Sequence, residues 1–387
     1  MAKCMIAVLQ SVVLKRSLVS PGVARVLCSR KYNSSNPEWG EPQDNGNVVD
    51  PEQQKLLKVA IIGVPNAGKS SLINSIVGRN ICPYSRKVHT TRAGARAVLS
   101  IGDTQLVFLD TPGLVDSNEI EKYNLDKAFA NDSVNSIEEA DIIGVVHDVS
   151  NRYTRSYLDP KVLRLLHLNQ NKDSFLILNK IDLLRSKIYL LDLARSLTCF
   201  TLNNFHIPKP YMLTPEEEKR NRSKVQERRL EEKVKKSVGW GKFNDVFMIS
   251  AVLNQGSSDI REYLLQRSKP SPWLFSKDEI TDKEDYKLVL STIESILLDD
   301  LPNEVPYNLK VELEYYEISR EGNLHIVVLI HCKTPRIEKL IMGKRGQRIR
   351  NIARTCEQHI RNLFLTDVFL KMVVTDKAKS INHPITD

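Results

Sequence analysis

The chain has 387 residues, 41% of them hydrophobic, and a formal net charge of +9. This length exceeds what one core usually serves, and the apolar fraction excludes a chain that is disordered throughout, so we expect two domains with tails. The six cysteines form no CxxC pair, which argues against a disulfide framework and a cysteine-based metal site. The positive charge favours an acidic partner, either nucleic acid or an anionic membrane surface.

The N-terminal stretch is basic and free of acids. Residues 1–37 contain six lysines or arginines, several serines and no aspartate or glutamate, and apolar residues between Met5 and Val13 follow helical spacing. This composition is typical of a mitochondrial transit peptide, with a secretory signal and a disordered basic arm as alternatives. Its apolar runs are too short to span a bilayer. We therefore predict a transit peptide and disordered linker over residues 1–45, no transmembrane segment, and a mitochondrial destination.

Residues 63–70, GVPNAGKS, fit the phosphate-loop pattern G-x-x-x-x-G-K-[ST] between a β-rich stretch and a helical stretch. Glycines allow backbone N–H groups to approach phosphate oxygens, and the following helix presents its positive end to them. Lys69 is expected to neutralise the β- and γ-phosphates, and the Ser70 hydroxyl to bind Mg²⁺. The predicted nucleotide-binding residues of this loop are Gly63, Asn66, Ala67, Gly68, Lys69, Ser70 and Ser71.

Two further segments predict the metal site. In HTTRAG, Thr90 and Thr91 are both candidates to cap Mg²⁺, and we favour Thr91. In FLDTPG, Asp110 ends a predicted strand and is suited to hold Mg²⁺ through water, while Gly113 offers a backbone N–H to the γ-phosphate. Leu114 occupies the place where some GTPases carry a glutamine that orients the attacking water. We therefore predict slow basal hydrolysis and assign no catalytic residue.

The base-binding residues follow two later strands. LILNKID supplies Asn179, Lys180 and Asp182, and the Asp182 carboxylate can accept hydrogen bonds from the N1–H and N2–H₂ groups of guanine, which adenine lacks. Ser250 and Ala251 are expected to give a backbone donor to guanine O6. The apolar strands at 141–149 and 174–179 suit a parallel sheet buried on both faces. These segments predict GTP and GDP as ligands, with Mg²⁺.

Asn66 has two interpretations: a ligand for K⁺, as the asparagine at this place in some related GTPases, or an ordinary turn residue.

A second set of elements follows near the C-terminus. A helix at 289–301, strands at 308–319 and 323–332, two helices around residues 343–346, and a strand at 367–374 give the order α-β-β-α-α-β of a type II KH domain. The turn between the helices has the form GxxG, and residues 333–361 contain nine lysines or arginines against two glutamates. KH domains clamp single-stranded RNA at such a turn. The predicted RNA-binding residues are Gly343, Lys344, Arg345, Gly346 and Arg348; a solvated basic helix face is the alternative.

The motifs GVPNAGKSSL, HTTR, DTPG and NKID, followed by EVPYN and MGKRGQRI, resemble those of the Era family of GTPases, and with the leader the mitochondrial form found in animals. The resemblance covers residues 56 to about 376. It implies an α/β P-loop domain at 56–270, with a mostly parallel sheet and helices on both faces, and an α+β type II KH domain at 280–378. Between Asp182 and Ser250 lie 67 residues, more than the family's short connection, so we predict a charged insertion at about 185–240. An exposed helix over 214–236 is expected there, either solvated or used for a mitochondria-specific contact.

The resemblance also implies a function. Era proteins assist assembly of the small ribosomal subunit, so the expected partners are small-subunit mitochondrial rRNA, bound near its 3′ end, and the ribosomal subunit itself. A monomer in the mitochondrial matrix is expected, with a peripheral position on the inner membrane as an alternative. The competing functions are an RNA-modifying enzyme and a membrane-surface GTPase that uses the basic KH patch.

Overall fold

The computed structural model describes residues 50–83, 95–111, 135–199, 201, 237–302 and 305–376. The leader and the predicted residues Thr90, Thr91, Gly113 and Leu114 lie outside these ranges, and every structural statement below concerns the described residues.

The first domain is built on one twisted sheet. Its strands are β1 (Lys55–Ile62), β2 (Ala95–Ile101), β3 (Thr104–Asp110), β4 (Ile142–Asp148), β5 (Asp173–Asn179), β6 (Val246–Met248) and the short β7 (Lys269–Pro270). The order is β2-β3-β1-β4-β5-β6, with β7 paired to β1. β3, β1, β4, β5 and β6 pair in parallel, whereas β2 and β7 pair antiparallel with β3 and β1. The carboxyl ends of the parallel strands therefore meet at one edge, where ligands of such sheets bind.

Helices cover both faces of this sheet. They are α1 (Lys69–Val77), α2 (Pro160–Leu168), α3 (Tyr189–Leu197) and α4 (Ser257–Gln266). Leucines of α2 and α3 pack into one buried cluster with Trp240 and Phe243, and aliphatic residues of α1 and α4 pack into a second cluster on the other face. β3 is buried along its whole length, as expected for a strand covered on both sides. The predicted α/β fold is confirmed.

Part of the predicted insertion belongs to this core. Leu190, Ala194 and Leu197 of α3 are buried, and the Trp240 N–H donates to the Leu197 carbonyl at 2.8 Å. α3 and Trp240 therefore both belong to the core of the first domain. α3 lies inside the predicted insertion at about 185–240 and packs on the sheet through its apolar face. The bounds of the insertion stay a prediction. Residues 202–236, including the expected charged helix, lie outside the described ranges.

The second domain has the element order predicted for a type II KH domain. α5 (Asp285–Asp300), β8 (Lys310–Ile318), β9 (Leu324–Cys332), α6 (Pro335–Met342), α7 (Gln347–Phe364) and β10 (Val368–Asp376) follow one another. The sheet order is β10-β9-β8, with β8 antiparallel and β10 parallel to β9. Alternate residues of β9 are buried under the three helices. The α-β-β-α-α-β prediction is confirmed.

The segment between the domains, residues 269–284, runs along the first sheet. Gln105, which is fully buried, accepts hydrogen bonds from the N–H groups of Leu274 and Phe275, both at 3.0 Å. Further along, the N–H of Val98 on β2 donates to the Ile280 carbonyl at 2.8 Å. The interdomain segment therefore covers the outer edge of β2, which would otherwise expose unpaired backbone groups.

The two domains also share apolar contacts. Leu288 of α5 and Leu363 of α7 belong to the same buried cluster as α1 and α4. The side chain of Asn362 accepts a hydrogen bond from the N–H of Asn80, just after α1, at 2.9 Å. The KH domain thus packs against the helix that begins at the phosphate loop. In the part of the chain that the structure describes, no helix is long and apolar enough to cross a bilayer.

Candidate nucleotide site and nucleic-acid cleft

The phosphate loop connects β1 to α1 and depends on its glycines. Gly68 caps α1 in the left-handed region, at φ 97°, and a Cβ there would lie 2.3 Å from Asn179 Nδ2. A Cβ on Gly63 would lie 2.5 Å from the Val146 carbonyl oxygen. Asn66 is exposed with φ 61°, a geometry typical of a turn residue. This backbone places the N–H groups at the start of α1 toward the edge where the parallel strands end.

Lys69, the first residue of α1, is buried over the loop. Its Nζ donates to the carbonyls of Gly63 and Val64, at 3.1 and 3.2 Å. Burial lowers the pKa of Lys69 to about 8, against the opposing effect of the nearby Asp110 carboxylate. Phosphate oxygens would be stronger partners than these two neutral carbonyls, because hydrogen bonds between charged groups are shorter and stronger.

Asp110, the last residue of β3, faces the same site. The Ser70 hydroxyl donates to Asp110 Oδ2 at 2.8 Å. Among the described residues, the buried Oδ1 of Asp110 has no hydrogen-bond partner that satisfies distance and angle. Burial raises the pKa of this carboxyl, and Lys69 counteracts that effect. A buried carboxylate oxygen beside a hydroxyl fits Mg²⁺, which prefers hard oxygen ligands.

The neighbouring Thr111 was missed by sequence reasoning. Its hydroxyl donates to the Ile61 carbonyl of β1 at 2.7 Å, and the residue is fully buried. This bond fixes the chain where it leaves β3 toward residues 112–134. The sequence signal that could have found Thr111 is its hydroxyl directly after Asp110, the last residue of β3.

Asn179, at the end of β5, joins three segments. Its Nδ2 donates to the Ala67 carbonyl at 2.9 Å, and its Oδ1 accepts from the Ala251 N–H at 3.1 Å. The residue is 2% exposed. Predicted as a nucleotide-binding residue, Asn179 makes contacts here that hold the phosphate loop and the Ser250–Ala251 turn in place.

The base-recognition residues surround this amide. Asp182 is exposed on a short 3₁₀ turn, Ile181–Leu183, and so can face a ligand. Lys180 forms an ion pair with Asp148 at 2.7 Å, and Asp148 in turn accepts hydrogen bonds from Ser150. Sequence reasoning missed Asp148, although it ends β4 as Asn179 ends β5, and the two are register partners. The pair fixes the direction of the Lys180 side chain.

The turn that was predicted to meet guanine O6 is already hydrogen-bonded. Ser250 N–H donates to the Gln255 carbonyl at 3.1 Å, and Ala251 N–H donates to Asn179. A guanine base would therefore share the Ala251 donor with the Asn179 side chain.

The KH domain carries a separate cleft of about 670 Å³ beside the GxxG turn. Gly343 and Gly346 adopt φ values of 67° and 73°, so this turn favours glycine at both positions. Gly343, Lys344 and Arg348 line the cleft, and Arg345 and Gly346 complete the turn next to it. Sequence reasoning missed four other polar lining residues. They are Asp300, Lys339, Gln347 and Asn351.

Arg348 is held by the protein on two sides. Its Nη1 donates to the Leu340 carbonyl at 3.0 Å, and its Nε lies 3.4 Å from Asp300 Oδ2. Lys344 and Gln347, by contrast, are exposed at the mouth of the cleft. A phosphate entering the cleft is therefore more accessible to the ammonium group of Lys344 than to the guanidinium of Arg348.

The chain is 35% identical to "GTPase Era, mitochondrial" of Salmo salar, over 84% of this chain and 78% of that protein. It is 37% identical to the protein of the same name from Danio rerio, over 84% of this chain and 76% of that protein. The chain belongs to the Era family of GTPases. Residues 58–180 also match the family described as "50S ribosome-binding GTPase".

Two solved Era structures show the same fold. Era in complex with MgGDPNP and nucleotides 1506–1542 of 16S ribosomal RNA has a TM-score of 0.59 at 22% identity, covering 86% of this chain and 96% of that chain. An Aquifex aeolicus Era variant bound to GDP·AlF₄⁻ has a TM-score of 0.60 at 22% identity, covering 84% and 94%. This Era family member is thus a P-loop GTPase domain followed by a KH domain.

Proposed function

We propose that this Era family GTPase binds RNA and acts as an assembly factor of the small mitochondrial ribosomal subunit, binding its rRNA near the 3′ end. The observation that carries the proposal is the shared core, in which Leu288 and Leu363 of the KH domain belong to the same buried cluster as the apolar residues of α1, the helix of the phosphate loop. The naming of relatives as mitochondrial Era supports the compartment, and the 16S rRNA nucleotides in one solved Era structure support the RNA.

The nucleotide site favours GTP through charge and hydrogen bonding. Lys69 would exchange the carbonyls of Gly63 and Val64 for phosphate oxygens, which restores its ordinary preference for the charged form. Ser70 and Asp110 would hold Mg²⁺, which neutralises phosphate charge when bound. Asp182 would accept from the guanine N1–H and N2–H₂ groups, and adenine would leave that carboxylate unpaired. Turnover by the chain alone is slow in this proposal, since Leu114 cannot orient water.

The KH cleft favours single-stranded RNA. The exposed Lys344 stands at the GxxG turn and the exposed Lys339 also lines the cleft, so phosphates entering the cleft meet two cations. The glycines let a phosphate backbone approach the turn closely. Binding should weaken steeply with salt, because it releases counterions from the nucleic acid.

The proposed setting is the mitochondrial matrix, with a monomer engaging the small ribosomal subunit. The proposal also includes K⁺ binding at Asn66 and a peripheral position on the inner membrane, and each has its own test. Turnover in KCl and NaCl tests the first, and sedimentation with anionic vesicles tests the second.

Crosslinking in mitochondria followed by sequencing of the bound RNA tests the main proposal. Reads should concentrate near the 3′ end of small-subunit rRNA for the wild type and disappear for Lys344→Glu, which reverses one charge at the cleft. Lys69→Ala should lose GTP binding in a titration of the pure protein while keeping the cleft intact. Reads spread over mRNA, or equal affinity for GTP and ATP, would overturn the proposal.

Gly343→Asp would be a poorly selective variant for testing the RNA-binding role of the GxxG turn. A Cβ at Gly343 would lie 2.7 Å from Arg348 Cβ, and the residue adopts φ 67°. The substitution therefore strains the turn besides adding negative charge. Lys344→Glu avoids this strain because Lys344 is exposed.

A further inference from the structure

One carboxylate stands in a cleft that is otherwise basic. Of the described residues that line the cleft, Asp300 is the only acid, whereas Lys339, Lys344 and Arg348 are cations. A carboxylate repels phosphate, so Asp300 weakens the attraction of the cleft for every nucleic acid. Such a residue needs a compensating role.

Local stability does not supply that role. Asp300 is the last residue of α5, where the helix dipole disfavours a negative charge. Its ion pair with Arg348 is long, at 3.4 Å, and the two side chains are 41% and 40% exposed. Ion pairs this exposed contribute little to stability.

Asp300 lines the cleft beside the guanidinium of Arg348. The guanidinium of Arg348 is held in place by its hydrogen bond to the Leu340 carbonyl at 3.0 Å. The Asp300 carboxylate therefore lies beside a cation whose position is fixed. A carboxylate has about four acceptor positions, and this pair uses only part of them. Gln347 and Asn351, one helical turn apart on α7, line the same cleft with amide groups that can meet base edges.

We infer that Asp300 is a specificity residue that accepts a hydrogen bond from the exocyclic amine of a base bound in this cleft. Carboxylates accept from the cytosine N4–H₂ group, whereas uracil presents its O4 acceptor at the same place and would be repelled. Asp300 therefore selects cytosine over uracil at one position, in exchange for weaker binding of phosphate. This inference rests on the proposed RNA function of the cleft.

Labelled oligocytidine and oligouridine of eight nucleotides test it by fluorescence anisotropy with the full chain. The two pyrimidines have the same ring, so their affinity ratio isolates the amine. The wild type should prefer oligocytidine by on the order of tenfold. Asp300→Asn should bring the ratio close to one, because an amide can satisfy either base, while binding of oligouridine becomes tighter.

Asp299→Asn is the matched control, since it removes the same charge from the neighbouring residue of α5. It should change both affinities equally and preserve the ratio. An unchanged ratio in Asp300→Asn, with both affinities raised, would show that Asp300 acts through charge alone and would overturn the inference. Equal wild-type affinity for both oligonucleotides would also overturn it while leaving the RNA function standing. Wild-type binding to neither oligonucleotide would count against both.

Discussion

Asn179→Ala tests whether the site is held together from within. The substitution removes two buried hydrogen bonds, at 2.9 Å to the Ala67 carbonyl and at 3.1 Å from the Ala251 N–H. A buried group left without its partner costs about 1–3 kcal/mol. Two such groups cost about 2–6 kcal/mol, so we expect the nucleotide-free protein to lose this much unfolding free energy, a large part of the stability of a typical domain.

The assay is urea denaturation of nucleotide-free protein, combined with hydrogen exchange over residues 63–70. The midpoint should fall, and exchange in the phosphate loop should speed up before any ligand is added. Asn179→Asp serves as the control, because it keeps an acceptor for Ala251 but places a carboxylate oxygen against the Ala67 carbonyl. If Asn179→Ala keeps its midpoint and its slow exchange yet loses affinity for GDP, then Asn179 acts on the ligand directly and the reasoning fails.

Three further outcomes follow from the described contacts. Gln105→Ala should cost about 1–3 kcal/mol in a denaturation titration, because it removes two partly buried hydrogen bonds from the N–H groups of Leu274 and Phe275; an unchanged midpoint would show that Gln105 does not anchor this segment. Burial raises the pKa of Asp285 to about 6, so its carboxyl binds a proton more tightly in the folded state and stability should fall as the pH rises from about 4 to 6. Asp285→Asn should flatten that pH profile in thermal melts, and a profile identical to wild type would refute it. GTP turnover of the pure chain should be slow, and faster in KCl than in NaCl only if Asn66 binds K⁺.

Sequence reasoning succeeds where the signal is local. The phosphate loop, the strands that end at Asp110 and Asn179, and the helix pair around GxxG are each written in contiguous residues whose glycines and apolar spacing determine the backbone. The spacing of Leu190, Ala194 and Leu197 on one helical face also indicates α3, although these residues lie inside the predicted insertion.

The remaining features depend on residues far apart in the chain. Asn179 meets partners 112 and 72 residues away, so no local pattern shows that its amide is already engaged. From the sequence, Arg348 is predicted to contact phosphate. Its ion pair with Asp300 forms only in the folded chain, so the sequence does not show it. The path of the interdomain segment is likewise set by the buried Gln105, whose neighbours in sequence give no indication of that role.

That segment also decides where the chain can be cut. The N–H of Arg96 donates to the Asp282 carboxylate at 3.1 Å, and the N–H of Val98 donates to the Ile280 carbonyl. The outer edge of β2 is therefore paired with the part of the interdomain segment that follows β7 in the chain. A fragment ending at Pro270 would expose unpaired backbone groups along the outer edge of β2, and such an edge pairs readily with a strand of a second molecule. Excised GTPase fragments should therefore dimerise or precipitate unless they extend past Lys283. At high concentration, two intact chains should exchange their interdomain segments and form a domain-swapped dimer.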